Sequence, residues 1–150
     1  MSAETDEKSK TIFLVEDNRA DIRLIQEALK NSSVSYQVMS VRDGMDAMAF
    51  LRQEGEYADA PRPDLILLDL NLPKKDGREV LAEIKADPNL KRIPVVVLTT
   101  SKNEDDISQS YDLHVNCYIT KSRNLSQLFT IVKGIEEFWL KTVTLPSELG

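Results

Sequence analysis

Three uninterrupted apolar runs, IFLV at 12–15, LILL at 65–68 and VVVL at 95–98, constrain this chain more than any other feature. Each is too short for a helix and has no polar residue to turn toward water, so each reads as a strand covered on both sides. Such strands belong to parallel sheets, whose crossovers lay helices over both faces. The intervening segments carry the matching helical period. Asn18 or Asp21 is placed to cap a helix with Ile22, Ile25 and Leu29 on one face, and YQVMSV at 36–41 is a second strand. A helix over 44–53 carries Met45, Met48, Ala49 and Leu51, its methionines as core filler rather than a cofactor contact. GEYADAPRP is a surface loop stiffened by Pro61 and Pro63. Helices over 78–85 and 104–111, a fifth strand over 115–119 and a long last helix over 125–140 complete the pattern. The prediction is a doubly wound α/β domain with a five-stranded parallel sheet over residues 11–141. A polar, mobile segment at 1–10 precedes it and a tail at 142–150 follows.

Charge and composition narrow the function. A net charge of -6 in 150 residues argues against nucleic acid or an acidic membrane surface as partner. The single cysteine, Cys117, excludes an internal disulfide and a cysteine-based zinc site, and fits a reducing compartment. No signal peptide or membrane-spanning run is legible, so a cytoplasmic protein is expected. A glycine-rich phosphate loop is also missing, which removes the main signal of dinucleotide and P-loop folds.

In an open α/β sheet, ligands collect outside the carboxyl ends of the strands. Strand one ends there in Glu16 and Asp17, strand three in Asp69, and strand four in Thr99, Thr100 and Ser101, while strand five leads to Lys121. One acidic strand end is ordinarily a helix cap. A set of them is a different matter, since two carboxylates about 4 Å apart repel by roughly 4 kcal/mol at an effective dielectric near 20. Such a cluster needs a cation. With only oxygen ligands on offer, the ion is Mg²⁺ or Mn²⁺. A carboxylate flanked by a metal and a lysine is a nucleophile toward phosphorus.

These residues resemble the receiver domains of two-component response regulators, over residues 11 to about 140. The resemblance rests on FLVEDN, LLDLNLPKKDG, PVVVLTTS and CYITKS, with Thr99 thirty residues after Asp69 and Lys121 twenty-two further on. It implies the flavodoxin-like strand order 2-1-3-4-5, with Asp69 as the acceptor of a phosphoryl group from a sensor histidine kinase. It further implies that Asp17 binds the metal directly, Glu16 through water, and Asn71 by its backbone carbonyl. Thr99 would turn its hydroxyl to the phosphoryl group, Lys121 would pair with a phosphoryl oxygen, and Tyr118 would be the aromatic switch. Pro73 and Gly77 would shape the loop after Asp69, Gly77 by positive φ or by close packing. Three positions depart from the common pattern. Glu16 stands where aspartate is usual, Thr100 where a small residue is usual, and Ser122 follows Lys121 in place of proline. A cis bond before a residue other than proline costs about 3 to 4 kcal/mol, and the isomer at Lys121–Ser122 is left open.

The loop EGEYADAPRPD, the strings LILLDLNLPKKDGREVLAEIK and HVNCYITKSRNL and the tail FWLKTVTLP are similar to the small response regulators paired with cyanobacterial phytochromes. That group implies a phytochrome as kinase, a receiver with no output domain, and a homodimer. The residues point the same way. Leu125, Leu128, Val132, Ile135 and Trp139 form a core stripe on the last helix, while Ile131 and Phe138 fall outside it. Together with Val143 and Leu145 of the tail they are the candidate dimer surface, Leu149 being a further apolar residue there. His114 reads as a surface residue rather than a relay group, Cys117 as packing, and Lys74 and Lys75 as solvated or as a dock for an acidic partner. Two rival functions use the same acids: an unphosphorylated interaction module, and a Mg²⁺-dependent phosphatase of the haloacid dehalogenase type. The phosphatase needs an acid two residues after its nucleophile, where this chain has Asn71, so self-phosphorylation and self-dephosphorylation are expected instead of ester turnover. A flavin-binding domain of similar topology is the remaining rival.

Overall fold

The computed structural model describes residues 10–30 and 35–149. The expected mobile segment falls outside them except for Lys10. That residue opens the first strand, and its Nζ donates to Leu140 O at 2.8 Å. Five strands, β1 (Lys10–Val15), β2 (Tyr36–Val41), β3 (Leu65–Leu68), β4 (Val95–Thr99) and β5 (Cys117–Thr120), form one parallel sheet in the order β2-β1-β3-β4-β5. Helices α1 (Arg19–Lys30), α2 (Gly44–Leu51), α3 (Gly77–Ala86), α4 (Glu104–Asp112) and α5 (Leu125–Ile135) cover it.

Successive strand residues point to opposite faces, and here both faces are buried. Phe13, Ile66, Leu68, Val95 and Val97 pack under α2 and α3, and Phe13 stacks on Phe50 with ring centroids 4.1 Å apart. Ile12, Leu14, Leu65, Leu67 and Val96 pack on the other face with Ile25 of α1 and Leu128, Val132 and Ile135 of α5.

Several boundaries differ from the sequence expectation. Helix α2 stops at Leu51, because Gln53 takes a left-handed φ of 55° and donates from its side chain to Ala60 O at 2.7 Å. Met48 is core, but Met45 is 55% exposed on the opposite side of that short helix. Strand β5 begins at Cys117 rather than at residue 115. His114 is left-handed, Val115 N donates back to Ser110 O, and the Asn116 side chain takes the Val95 N–H.

The largest correction concerns the last helix, which is not regular to residue 140. After Ile135 it widens into a π-helical segment, Glu136–Thr142, closed by Val143 N donating to Phe138 O five residues back. The wider turn rotates the face. Leu140 is buried, Trp139 only half-buried, and Leu125 at the other end of the expected stripe is exposed. A short 3₁₀ turn, Pro146–Leu149, ends the described chain. Leu145 is 0% exposed within this single chain, so it belongs to the core and is removed from the candidate dimer surface. Its N–H donates to Glu148, which pairs with Lys10 at 3.3 Å and so ties the tail to β1.

Candidate functional site

Strand register sets the site. Val15 of β1 pairs with Leu68 of β3, so the next residues, Glu16 and Asp69, leave the carboxyl edge side by side. The backbone holds them there: Asp69 N donates to Val15 O at 3.0 Å and Glu16 N to Val41 O at 3.1 Å. Thr99 closes β4 opposite Thr120, and Lys121 N donates to Thr99 O at 2.7 Å, which aims the lysine at the same edge.

Lys121 is the centre of the cluster. Its Nζ, buried with the rest of the residue, lies 2.6 Å from Glu16 Oε1, 2.7 Å from Asp21 Oδ2 and 3.2 Å from Asp69 Oδ2. Burial alone would lower the lysine's pKa, but hydrogen bonds to Asp21 and Glu16 and the charges of Glu16 and Asp69 outweigh it, so the ammonium stays protonated. The Glu16 carboxyl is pushed up to about 7, first by burial and then by the charge of Asp69, against the pull of Lys121. Its second oxygen, Oε2, accepts from Asn18 N at 3.0 Å.

Asp69 uses its other oxygen, Oδ1, to accept from Asn71 N at 3.0 Å, which turns the following loop tightly. Gly77 finishes that turn. Its N–H donates to Leu70 O at 3.0 Å, and a Cβ there would lie 2.6 Å from Leu70 Cα. Of the two expected reasons for glycine, close packing is the one that applies.

Asp17 is not drawn in with the others. Its side chain is half exposed, 3.6 Å from the Arg42 guanidinium, which also donates to Asp17 O. Among the described residues no three acidic, histidine or cysteine side chains stand as a ready-made metal cage. The Lys121–Ser122 peptide is trans, as no described peptide bond is cis.

Thr99 is fully buried, and its hydroxyl accepts from Ser101 N at 3.4 Å. Tyr118, half-buried, donates its hydroxyl to Ser101 O at 3.0 Å, so both expected switch residues meet at one loop residue. Ser101 continues the chain of contacts by donating to Asp106 Oδ2 at 2.7 Å. Asp106 in turn takes a two-pronged contact from Arg78 of α3, Nε and Nη2 each at 2.7 Å. Sequence reasoning missed this link and the place of Asp21. Asp21 carried one usable signal: it lies four residues past Asp17 on the first turn of a helix leaving the same strand end.

Of the other candidates, Phe138 is 54% exposed with its ring edge-on to Trp139, and Ile131 and Val143 are half-buried. His114 is exposed, as expected of a surface residue. No helix among the described residues is long and apolar enough to cross a membrane.

Comparison with known proteins agrees with the geometry. The family model described as the response regulator receiver domain matches residues 12–133. Response regulator Rcp1 of Synechocystis sp. is 70% identical over 138 residues, covering 92% of this chain and 94% of that protein. The crystal structure of the phosphorylated cyanobacterial phytochrome response regulator RcpA is 82% identical, with a TM-score of 0.91 over 93% of this chain and 99% of that one. The Mn²⁺-bound form of Rcp1 superposes with a TM-score of 0.90 at 70% identity, over 91% and 99% of the two chains.

Proposed function

Since the chain belongs to the response regulator receiver domain family, we propose that it accepts a phosphoryl group on Asp69 from a phosphohistidine of a sensor kinase, and that the kinase is a phytochrome. One observation carries the assignment: Asp69 ends a central strand beside Glu16, held by two fixed contacts, with the buried Lys121 ammonium facing one of its oxygens. In the transfer an Asp69 oxygen forms a bond to phosphorus as the nitrogen–phosphorus bond breaks, and the imidazole keeps that electron pair. Lys121 stabilises the charge on the phosphoryl oxygens. Thr99 then donates its hydroxyl to the phosphoryl group. The Ser101 contact gives way, and Tyr118 loses its fixed acceptor and moves inward.

The donor set fits a hard divalent cation. Its members are all oxygens, and the three carboxylates of Glu16, Asp21 and Asp69 share a single lysine. Asp17, Asp69 and the Asn71 carbonyl would hold Mg²⁺ or Mn²⁺, with Glu16 acting through water. A cation so placed neutralises phosphoryl charge. Asp17 must leave Arg42 to join that set.

The same reading makes the protein a phosphoacceptor that phosphorylates and dephosphorylates itself, with no turnover of ordinary phosphate esters. It is cytoplasmic and signals through protein contacts, without nucleic acid or membrane. It pairs as a homodimer through Phe138, Ile131 and Val143, apolar residues at least partly open on α5, its extension and the tail. Incubation with Mg²⁺ and acetyl phosphate should add one phosphoryl mass to wild type and none to Asp69→Asn. Equal labelling of the two proteins sinks the assignment.

A further inference from the structure

Asp21 is the one carboxylate on Lys121 that the phosphoryl chemistry above leaves without a task. An ammonium has three protons to donate, and here three carboxylates take them. A phosphoryl oxygen therefore finds no free donor on Nζ until one contact breaks. The contacts are unequal. Those to Glu16 and Asp21 are 2.6 and 2.7 Å, that to Asp69 is 3.2 Å, so the ammonium sits away from the reacting carboxylate. Glu16 is almost wholly buried and belongs to the proposed metal set. Asp21 stands at the rim, its side chain 15% exposed, with its backbone fixed by its own N–H donating to Asn18 Oδ1 at 3.0 Å. It competes for Lys121 from a rigid helical position.

We propose that Asp21 is a positioning residue that holds Lys121 back from the phosphoryl group and so limits how firmly Asp69 binds and keeps it. The proposal rests on Asp69 being the acceptor. A phosphoryl group that must win Lys121 from a fixed carboxylate is held less tightly than one met by a free ammonium, and the signal is correspondingly shorter.

The test uses the beryllium trifluoride anion, which attaches to a carboxylate oxygen in the shape of a phosphoryl group, titrated with Mg²⁺ present and followed by fluorine NMR. Asp21→Asn should bind it about tenfold more tightly than wild type, and its acetyl-phosphate-derived phosphate should last longer. Asp21→Glu should return to within about threefold of wild type. The gain must act through Lys121, so in a Lys121→Met background Asp21→Asn should change affinity by less than about twofold. Affinity of Asp21→Asn equal to or below wild type overturns the proposal, as does a full gain without Lys121. Binding by Asp69→Asn as tight as by wild type would remove the acceptor assignment, and this proposal with it.

Discussion

Replacing Asp106 by asparagine should cost about 2 kcal/mol of folding free energy at pH 7, and less as the solution is acidified. Asp106 accepts two short bonds from the Arg78 guanidinium and one from the Ser101 hydroxyl. Those bonds, Arg78's first and then Ser101's, hold its carboxyl down from 3.8 to about 2. A shift of a little under two pH units, at about 1.4 kcal/mol each, gives roughly 2.5 kcal/mol. The Arg78 side chain is 31% exposed, and screening by water trims this to about 2. Because the folded value lies below the unfolded one, the contribution is complete above about pH 4 and is lost as pH falls toward 2. At pH 3 the gap between wild type and Asp106→Asn should have shrunk to about half. Urea unfolding followed by the fluorescence of Trp139, at both pH values, measures it directly. A gap under about 0.5 kcal/mol at pH 7, or one that does not narrow at pH 3, refutes the reasoning. The pair matters beyond stability because it ties α3 to the loop carrying Ser101, on which Thr99 and Tyr118 both depend.

Gly77→Ala should lower stability by about 1–3 kcal/mol and reduce acetyl phosphate labelling, because its Cβ would press on the Asp69 carbonyl and on Leu70; unchanged labelling by intact mass would contradict this. Phe138→Glu should give a monomer in light scattering at a concentration where wild type is dimeric. Leu145→Ala should leave the mass unaltered while costing about 2–4 kcal/mol of stability in urea. The reverse pattern would mean that the outer surface and the core have been assigned the wrong way round.

The sheet was legible because its central strands are apolar without interruption, and the positions of Glu16, Asp69, Thr99 and Lys121 followed from being strand ends. What stayed hidden depends on side-chain choices between partners. Nothing in the local sequence says that Asp17 turns out to Arg42 while Asp21 turns in to Lys121, since both are acids near one strand end. The π-helical segment was equally illegible. A stripe drawn at 100° per residue assigns Trp139 to the core, and one wider turn hands that place to Leu140. Leu145 departs from expectation for a related reason: an apolar residue past the last helix looks exposed until the contact of Glu148 with Lys10 brings the tail back. Short edge strands such as β5 are fixed by loop contacts, here those of Asn116, which periodicity does not record.

The three carboxylates gathered on Lys121 are drawn from far apart along the chain. Glu16 and Asp21 precede their lysine by 105 and 100 residues, and Asp69 precedes it by 52. One residue thus anchors three distant segments of the sheet edge, so the pocket exists only in the assembled domain. The lysine is a built-in cation that offsets part of the charge the acidic pocket carries, and a divalent metal would offset the rest.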